Sequence, residues 1–135
     1  MALAAKRHWG YPEEWIVEWT PVLTITAETF ANHSVIKLEK MGVIVGFYVL
    51  RVDGLVADLE HLWVLPAVMG EGAGRHLFDH AARAALHAGA RILRMESDPN
   101  AESFYLHMGA SRVGQRPAPM GGVERALPLL EMTLS

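Results

Sequence analysis

The sequence predicts a mixed α/β (α+β) domain in which a mostly antiparallel central sheet is flanked by helices. Three apolar segments separated by Met41-Gly42 and Asp53-Gly54 predict an antiparallel meander, because Asp-Gly between apolar runs tolerates the positive φ of a tight hairpin turn. A helical segment then leads to a fourth strand, which should lie parallel to the third. With 135 residues, 51% of them hydrophobic and 20% charged, residues 1–135 are expected to form a single domain.

The N-terminal third has a helical pattern. Pro12 followed by two glutamates favours a helix start, since acidic side chains suit the positive end of the helix dipole. Thr26 is a candidate N-cap for a short helix through Phe30, although residues 23–25 fit an extended segment equally well. Trp15, Ile16 and Trp19 would share one helix face.

The middle of the chain changes to strands and then returns to a helix. The strands are predicted at Val35–Lys40, Val43–Val52 and Leu55–Leu65, and Pro66 ends the third. Gly89 should end the helix that follows. That helix is predicted over Arg75–His87, with a core face of Leu77, Phe78, Ala81, Ala85 and Leu86.

The C-terminal part should complete the sheet. Arg91–Glu96 is predicted as the parallel strand, and Asp98-Pro99 then opens a helix by N-cap and first-turn chemistry. Gly109 closes that helix, in which Ala101, Phe104, Tyr105 and Met108 have core spacing. The last two strands are expected near Ser111–Gln115 and over Ala126–Leu134.

Charge and composition exclude several classes of protein. The net charge of -3 and pI near 6.1 argue against a nucleic-acid or anionic-membrane binder. The chain has no cysteine, which excludes disulfides, thiolate catalysis and sulfur-ligated zinc. No apolar run approaches the roughly 20 residues that span a bilayer, and no signal peptide is apparent. A cytoplasmic protein with no membrane partner is expected.

The turn Gly70–Arg75 lies between a predicted strand and a predicted helix. Backbone N–H groups converge there with the positive end of the helix dipole, which suits a phosphate or diphosphate. Glycines allow close approach of a ligand and positive φ. Alone, this turn fits a flexible loop or an ordinary helix cap equally well. The G-x-G-x-x-G dinucleotide fingerprint and the P-loop are excluded, because Arg75 stands at the third glycine position and the chain has no Gly-Lys pair.

Three histidines share one face of the same predicted helix. His76, His80 and His87 lie opposite Leu77 and Ala81, so a solvated stripe is the favoured interpretation and no metal site is predicted.

Three segments together resemble the GCN5-related N-acetyltransferase (GNAT) family. They are Leu59–Pro66, the turn Gly70–Arg75, and Asp98–Tyr105 followed by Met108-Gly109-Ala110. Their order and spacing are similar to the two main motifs of that family, over about Val43–Leu134. The resemblance implies acetyl-CoA as co-substrate and a primary amine of a small molecule or peptide as acceptor.

The resemblance also implies which residues bind the cofactor. Leu62, Trp63 and Val64, on a strand often splayed by a bulge, would hydrogen-bond the pantetheine arm and polarise the thioester carbonyl. Asn100 would contact the same arm. In the family motif Q/R-x-x-G-x-G/A, Met69 stands where Gln or Arg is usual, which weakens that side-chain contact. The diphosphate would be bound by Gly70, Glu71, Gly72, Ala73, Gly74 and Arg75.

Tyr105 matches the tyrosine that commonly protonates the departing CoA thiolate in this family, and the alternative is a half-buried core aromatic. A base must also take a proton from the amine. Glu60 is the first candidate and Asp58 the second, and the alternative is that both simply lie on a solvated face of the strand. If both point into the cleft, their repulsion should raise one pKa. The acceptor pocket is expected to draw on His8, Trp9, Tyr11 and residues 117–125.

One feature departs from the family pattern. Its members usually begin with a strand, whereas this chain starts with helical sequence at Met1-Ala2-Leu3, so the usual first strand is expected to be absent. The open sheet edge would be covered by another part of the chain or by a second subunit, which leaves a homodimer open. The predicted function is an acetyl-CoA-dependent N-acetyltransferase that works by direct attack. The alternative is a non-catalytic acyl-CoA-binding or dimerisation module with the same fold.

Overall fold

One sheet of six strands organises the computed structural model, which describes residues 1–16 and 34–135. The strands are β1 (Ser34–Lys40), β2 (Val43–Asp53), β3 (Val56–Val64), β4 (Ile92–Glu96), β5 (Ser111–Pro117) and β6 (Ala126–Thr133). They lie in the order β1-β2-β3-β4-β6-β5 across the sheet. The helices are α1 (Ala2–His8), α2 (Ala73–His87) and α3 (Glu102–His107), with a further helical segment at residues 13–16.

The first three strands form the predicted meander. β1 pairs antiparallel with β2, and β2 pairs antiparallel with β3. Gly54 in the second hairpin turn has φ 62°, the left-handed conformation that a residue without Cβ adopts at no steric cost. The sequence prediction of an antiparallel meander is therefore confirmed.

The crossover from β3 to β4 is also as predicted. α2 packs on β2 and β3, and β4 returns parallel to β3, with Val56–Asp58 opposite Ile92–Arg94. The apolar face of α2 is buried in the core as expected, at Leu77, Phe78, Ala81 and Ala85. α2 begins two residues before the predicted start at Arg75, because Gly72 adopts a left-handed conformation (φ 86°) and serves as the N-cap.

The helix after β4 begins differently from the prediction. Residues Pro99–Ala101 form a 3-10 turn before α3 starts at Glu102. The Asp98 carboxylate accepts the backbone N–H of Asn100, so the predicted cap is present but holds the tighter turn. Gly109 ends α3 with φ 108°, and β6 then lies between β4 and β5.

The N-terminal predictions are only partly within the described residues. Residues 13–16 are helical after Pro12, as expected. Trp19, residues 23–25 and the segment Thr26–Phe30 lie outside the described residues. No strand occurs in residues 1–16, so β1 is an edge strand of the sheet as described. Within the described ranges, no helix is long and apolar enough to cross a membrane.

Candidate functional site

A gap opens in the sheet where β3 and β4 diverge. Their parallel pairing ends at Asp58 opposite Arg94, whereas β3 continues for six more residues to Val64. A β-bulge lies just beyond the end of the pairing, because Leu50 of β2 faces Leu59 while Val49 faces His61. Glu60 is therefore the extra residue, and such a bulge bends a strand and re-aims its side chains. The edge of β3 beyond Asp58 is thus not paired to β4.

The glycine turn adjoins this gap at the start of α2. Gly70 and Gly72 both have φ 86°, and a Cβ built on either would meet no atom within 4 Å. The N-terminus of α2 has no side-chain cap and no acidic residue in its first turn. Its first N–H groups thus lack an intrahelical partner and carry the positive end of the dipole, which is the arrangement that binds phosphate groups.

A cleft of about 360 Å³ connects the glycine turn with the open edge of β3 and with α3. Most of the predicted cofactor-binding residues line it, together with four that were not predicted for that role. The predicted ones are Leu62, Trp63, Val64, Met69, Gly70, Gly72, Gly74, Arg75, Asn100 and Tyr105; the others are Ala5, Trp9, Ala101 and Phe104.

Two residues of the glycine turn do not line the cleft. Glu71 is exposed and its carboxylate accepts from Lys40 Nζ at 3.3 Å, so its side chain turns toward the β1–β2 hairpin. Ala73 begins α2 behind the turn. Gly74 lies against α3, since a Cβ there would be 3.3 Å from Cε1 of Phe104. The small residue at that position therefore lets the two helices approach closely.

Tyr105 lines the cleft and is buried, with 6% of its surface exposed. Its ring packs against Phe104 and Phe78, at centroid distances of 5.1 and 5.9 Å. Within the described part of the chain, its hydroxyl has no hydrogen-bond partner. Burial, assisted by the negative charge of Asp98, raises the pKa of the phenol well above its ordinary value. The hydroxyl therefore stays protonated and can donate a proton to a strong base.

Asp98 forms a buried polar network beside the cleft. Its carboxylate pairs with Lys6 of α1, and the two side chains are only 4% and 7% exposed. It also accepts from the Tyr11 hydroxyl at 3.0 Å and from the Asn100 side-chain amide at 3.0 Å. Burial alone would raise the pKa of Asp98, but the Lys6 ammonium and the Asn100 donors outweigh it and hold that pKa below its ordinary value.

The sequence interpretation missed this network. Asp98 was assigned only as a helix cap, and Lys6 received no role, because 92 positions separate the two residues in the chain. The wall residues Ala101 and Phe104 were assigned to the core from their helical spacing. The only available signal was the cluster of polar residues around Asp98-Pro99-Asn100 next to a predicted strand end.

The two base candidates line a second cavity rather than the cleft. Asp58 and Glu60 border a space of about 580 Å³ over β3, β4 and β6. Arg51 contacts both carboxylates, at 2.9 Å from Asp58 and 3.2 Å from Glu60, and Arg94 donates to Asp58 at 3.1 Å. Each carboxylate therefore has a cationic neighbour. Because both border the second cavity, the condition under which their repulsion was expected, that both point into the cleft, is not met.

The N-terminal segment and the late loop meet beside the cleft. Trp9 lines the cleft and its ring lies 6.2 Å from that of Trp63. Tyr11 stacks on Trp15, and the Arg125 guanidinium lies 5.3 Å from the Tyr11 ring. His8 is exposed. Of the residues expected to form an acceptor pocket, Trp9 thus borders the cleft directly, whereas Tyr11 hydrogen-bonds to Asp98 and Arg125 contacts Tyr11.

The three histidines of α2 are all exposed, as the predicted solvated stripe requires. The Tyr48 hydroxyl and His80 Nδ1 are hydrogen-bonded at 2.7 Å. No group of three or more metal-ligating side chains occurs among residues 1–16 and 34–135.

Comparisons with known proteins agree with this architecture. The model of the Acetyltransferase (GNAT) family matches residues 2–110. A GCN5-related N-acetyltransferase from Rhodopseudomonas palustris, described as an aminotransferase of class II, is 22% identical, with 98% of this chain and 84% of that chain covered and a TM-score of 0.81.

Two further solved structures are similar. The ribosomal-protein-S18-alanine N-acetyltransferase from Escherichia coli is 21% identical over 84% of this chain and 79% of that one, with a TM-score of 0.71. A GNAT family acetyltransferase from Elizabethkingia anophelis with acetyl-CoA bound is 17% identical over 92% and 91%, with a TM-score of 0.73. At these identities the likeness is one of fold, and it confirms the predicted mixed sheet flanked by helices.

Proposed function

The chain belongs to the GNAT family of acetyltransferases, and on that basis we propose that it transfers an acetyl group from acetyl-CoA to a primary amine of a small molecule or peptide. The similar enzyme that acetylates the alanine of ribosomal protein S18 and the similar structure with acetyl-CoA bound support this class of reaction. We assign the activity to the cytoplasm, as the composition predicts.

The observation that carries the proposal is the continuity of the cleft. One space is lined by the turn at the N-terminus of α2, which has no side-chain cap, by the edge of β3 that β4 does not pair, and by Tyr105. The amides of Gly70–Arg75 suit the diphosphate of the cofactor. The edge at Leu62–Val64 suits the amide-bearing pantetheine arm, because it offers backbone donors and acceptors that β4 does not pair. Because the Met69 side chain carries no charge, backbone N–H groups would provide most of the contact with the diphosphate.

The chemistry follows from these positions. The amine nitrogen would attack the thioester carbonyl carbon, a backbone N–H of Leu62–Val64 would stabilise the resulting oxyanion, and the carbon–sulfur bond would then break. Tyr105 would give its proton to the leaving thiolate. The ammonium proton would pass to Glu60 or to water, with Asp58 as the weaker candidate, since Arg51 and Arg94 both contact it.

Glu60 can serve as the base although it does not line the cleft. It is the bulge residue at the point where β3 and β4 separate, so it lies on the strand that forms the cleft wall while bordering the second cavity. An amine that reached the thioester through the gap from that side would pass this carboxylate. The two cavities would then hold cofactor and acceptor on opposite sides of the divergent strands.

The test is calorimetry with coenzyme A, followed by a thiol-release assay with acetyl-CoA across a panel of primary amines. We expect coenzyme A to bind at micromolar concentration and at least one amine to accelerate thiol release. Binding without release for any amine would favour the alternative of a non-catalytic acyl-CoA-binding module. Failure to bind at millimolar concentration would refute the proposed function and leave a dimerisation or regulatory role.

A further inference from the structure

A single buried carboxylate joins the N-terminal segment to the turn after β4, beside the cleft. Asp98 Oδ2 faces the Lys6 ammonium of α1. Asp98 Oδ1 accepts from the Tyr11 hydroxyl, which follows α1, and from the backbone and side-chain N–H groups of Asn100 at 2.9 and 3.0 Å. The Asn100 amide also donates to the Tyr11 hydroxyl at 2.8 Å.

These contacts fix one wall of the cleft. α1 has seven residues, which is too short for a helix that is stable by itself. Its residue Ala5 and the following Trp9 nevertheless line the cleft, as do Asn100 and Tyr105. The Lys6–Asp98 pair is a buried ionic link from α1 to the segment after β4, which carries Asn100.

We propose that Asp98 and Lys6 are positioning residues for the acetyl transfer proposed above: their buried ion pair holds α1 against the cleft and orients Asn100 and the start of α3 for cofactor binding. The inference rests on the proposed function for the identity of the ligand. It assigns no contact with the reacting atoms to either residue.

The energetics of buried ion pairs make the idea testable. Removal of one partner leaves an uncompensated buried charge, whereas removal of both charges is often tolerated. The charged and titratable groups that face Asp98 are Lys6, Tyr11 and, more distantly, Arg125 and Tyr105. With Lys6 present the pKa of Asp98 stays below its ordinary value, so the carboxylate keeps its acceptor role throughout pH 5 to 8. Without Lys6, burial should raise that pKa toward this range.

The experiment measures the Kd of coenzyme A by calorimetry from pH 5 to pH 8 for wild type, Lys6→Met, and the double variant Lys6→Met with Asp98→Asn. The ratio of variant Kd to wild-type Kd cancels the titration of the coenzyme's own phosphates. Arg7→Met is the matched control, because Arg7 is the next residue of α1 and its ion pair with Glu13 is exposed. Thermal unfolding of each variant is recorded in parallel.

For Lys6→Met we expect the Kd to rise about tenfold at pH 7, the scale of coupling between residues in one network, and the ratio to grow as the pH falls. In the double variant the Kd should also rise, but with a ratio that does not change with pH, because the titrating carboxylate is gone. Its Tm should exceed that of Lys6→Met. Arg7→Met should bind like wild type.

A merely structural role for the pair predicts changes in Tm without these changes in binding. The proposal is overturned if folded Lys6→Met binds coenzyme A within about twofold of wild type at every pH. If Lys6→Met does not fold, the double variant is used instead, and a Kd of coenzyme A within about twofold of the wild-type value at pH 7 overturns the proposal. Wild type that binds no coenzyme A overturns the proposed function as well, whereas normal binding by both wild type and variants overturns the positioning role alone.

Discussion

Replacement of Tyr105 by phenylalanine separates catalysis from packing at this site. The substitution removes one oxygen and leaves the ring, whose contacts with Phe78 and Phe104 hold α3 against α2. The hydroxyl is buried and has no hydrogen-bond partner within the described residues. Its loss therefore breaks no hydrogen bond between parts of the described chain.

The expected magnitudes follow from that environment. A buried hydroxyl without a partner costs about 1 to 3 kcal/mol on mutational scales, so Tyr105→Phe should leave the free energy of unfolding unchanged or raise it by up to that amount. A positioned general acid contributes about 10²- to 10⁴-fold to a rate. The variant should thus lose about 10²-fold or more in kcat while its Tm does not fall. Because burial raises the pKa of Tyr105, its deprotonation should not limit wild-type activity anywhere below pH about 10.

The assay is thiol release from acetyl-CoA with an amine found active for the wild type, from pH 6 to pH 9. Calorimetry with coenzyme A provides the control, and its Kd should change little because the ring remains. A variant with unchanged kcat at all pH values would refute the acid role. A loss of kcat accompanied by an equal loss of coenzyme affinity would instead make Tyr105 a binding residue.

Two further predictions concern the glycine turn and the bulge. Gly72→Ala and its control Gly42→Ala each place a Cβ in open space at nearly equal positive φ, 86° and 81°. Each should therefore lower the free energy of unfolding by about 1 to 2 kcal/mol, measured by thermal unfolding. Only Gly72→Ala should weaken coenzyme A binding in calorimetry, and equal binding by both variants would contradict the diphosphate assignment. Glu60→Gln should lower kcat about 10²-fold in the thiol-release assay. Its stability should change little, because the ion pair between Glu60 and Arg51 is partly exposed. Asp58→Asn is the comparison, and a larger loss of kcat there would reverse the order of the two candidates.

The fold was predictable because its signals are local. Asp53-Gly54 between apolar runs defines a hairpin, and the repeat Leu77, Phe78, Ala81 and Ala85 defines a buried helix face. Both depend only on neighbours within a few positions. The predicted start of α2 is two residues late, because the helix begins after Gly72, whose left-handed conformation is not specified by the apolar repeat of the helix.

The site was predictable where backbone supplies the chemistry. Gly70, Gly72 and Gly74 line the cleft because a turn between strand and helix must bring N–H groups together, whatever the surrounding side chains are. The positions of side chains were predicted less accurately. Asp58 and Glu60 do share one side of β3, but Arg51 pairs with both of them on the side of the second cavity, not in the cleft.

The Lys6–Asp98 pair shows why contacts between residues that are distant in the sequence are not predicted from local sequence patterns. Neither residue has an unusual local pattern: Lys6 is a cation in the last turn of a helix and Asp98 is an N-cap, and both are ordinary surface roles. Their burial arises only when α1, which contacts β3, brings Lys6 against the segment after β4. Because that segment carries Asn100, which lines the cleft where the cofactor is proposed to bind, this contact also shapes the cleft. The proposed positioning role therefore couples stability to cofactor binding at Asp98, and the double variant is the measurement that separates them.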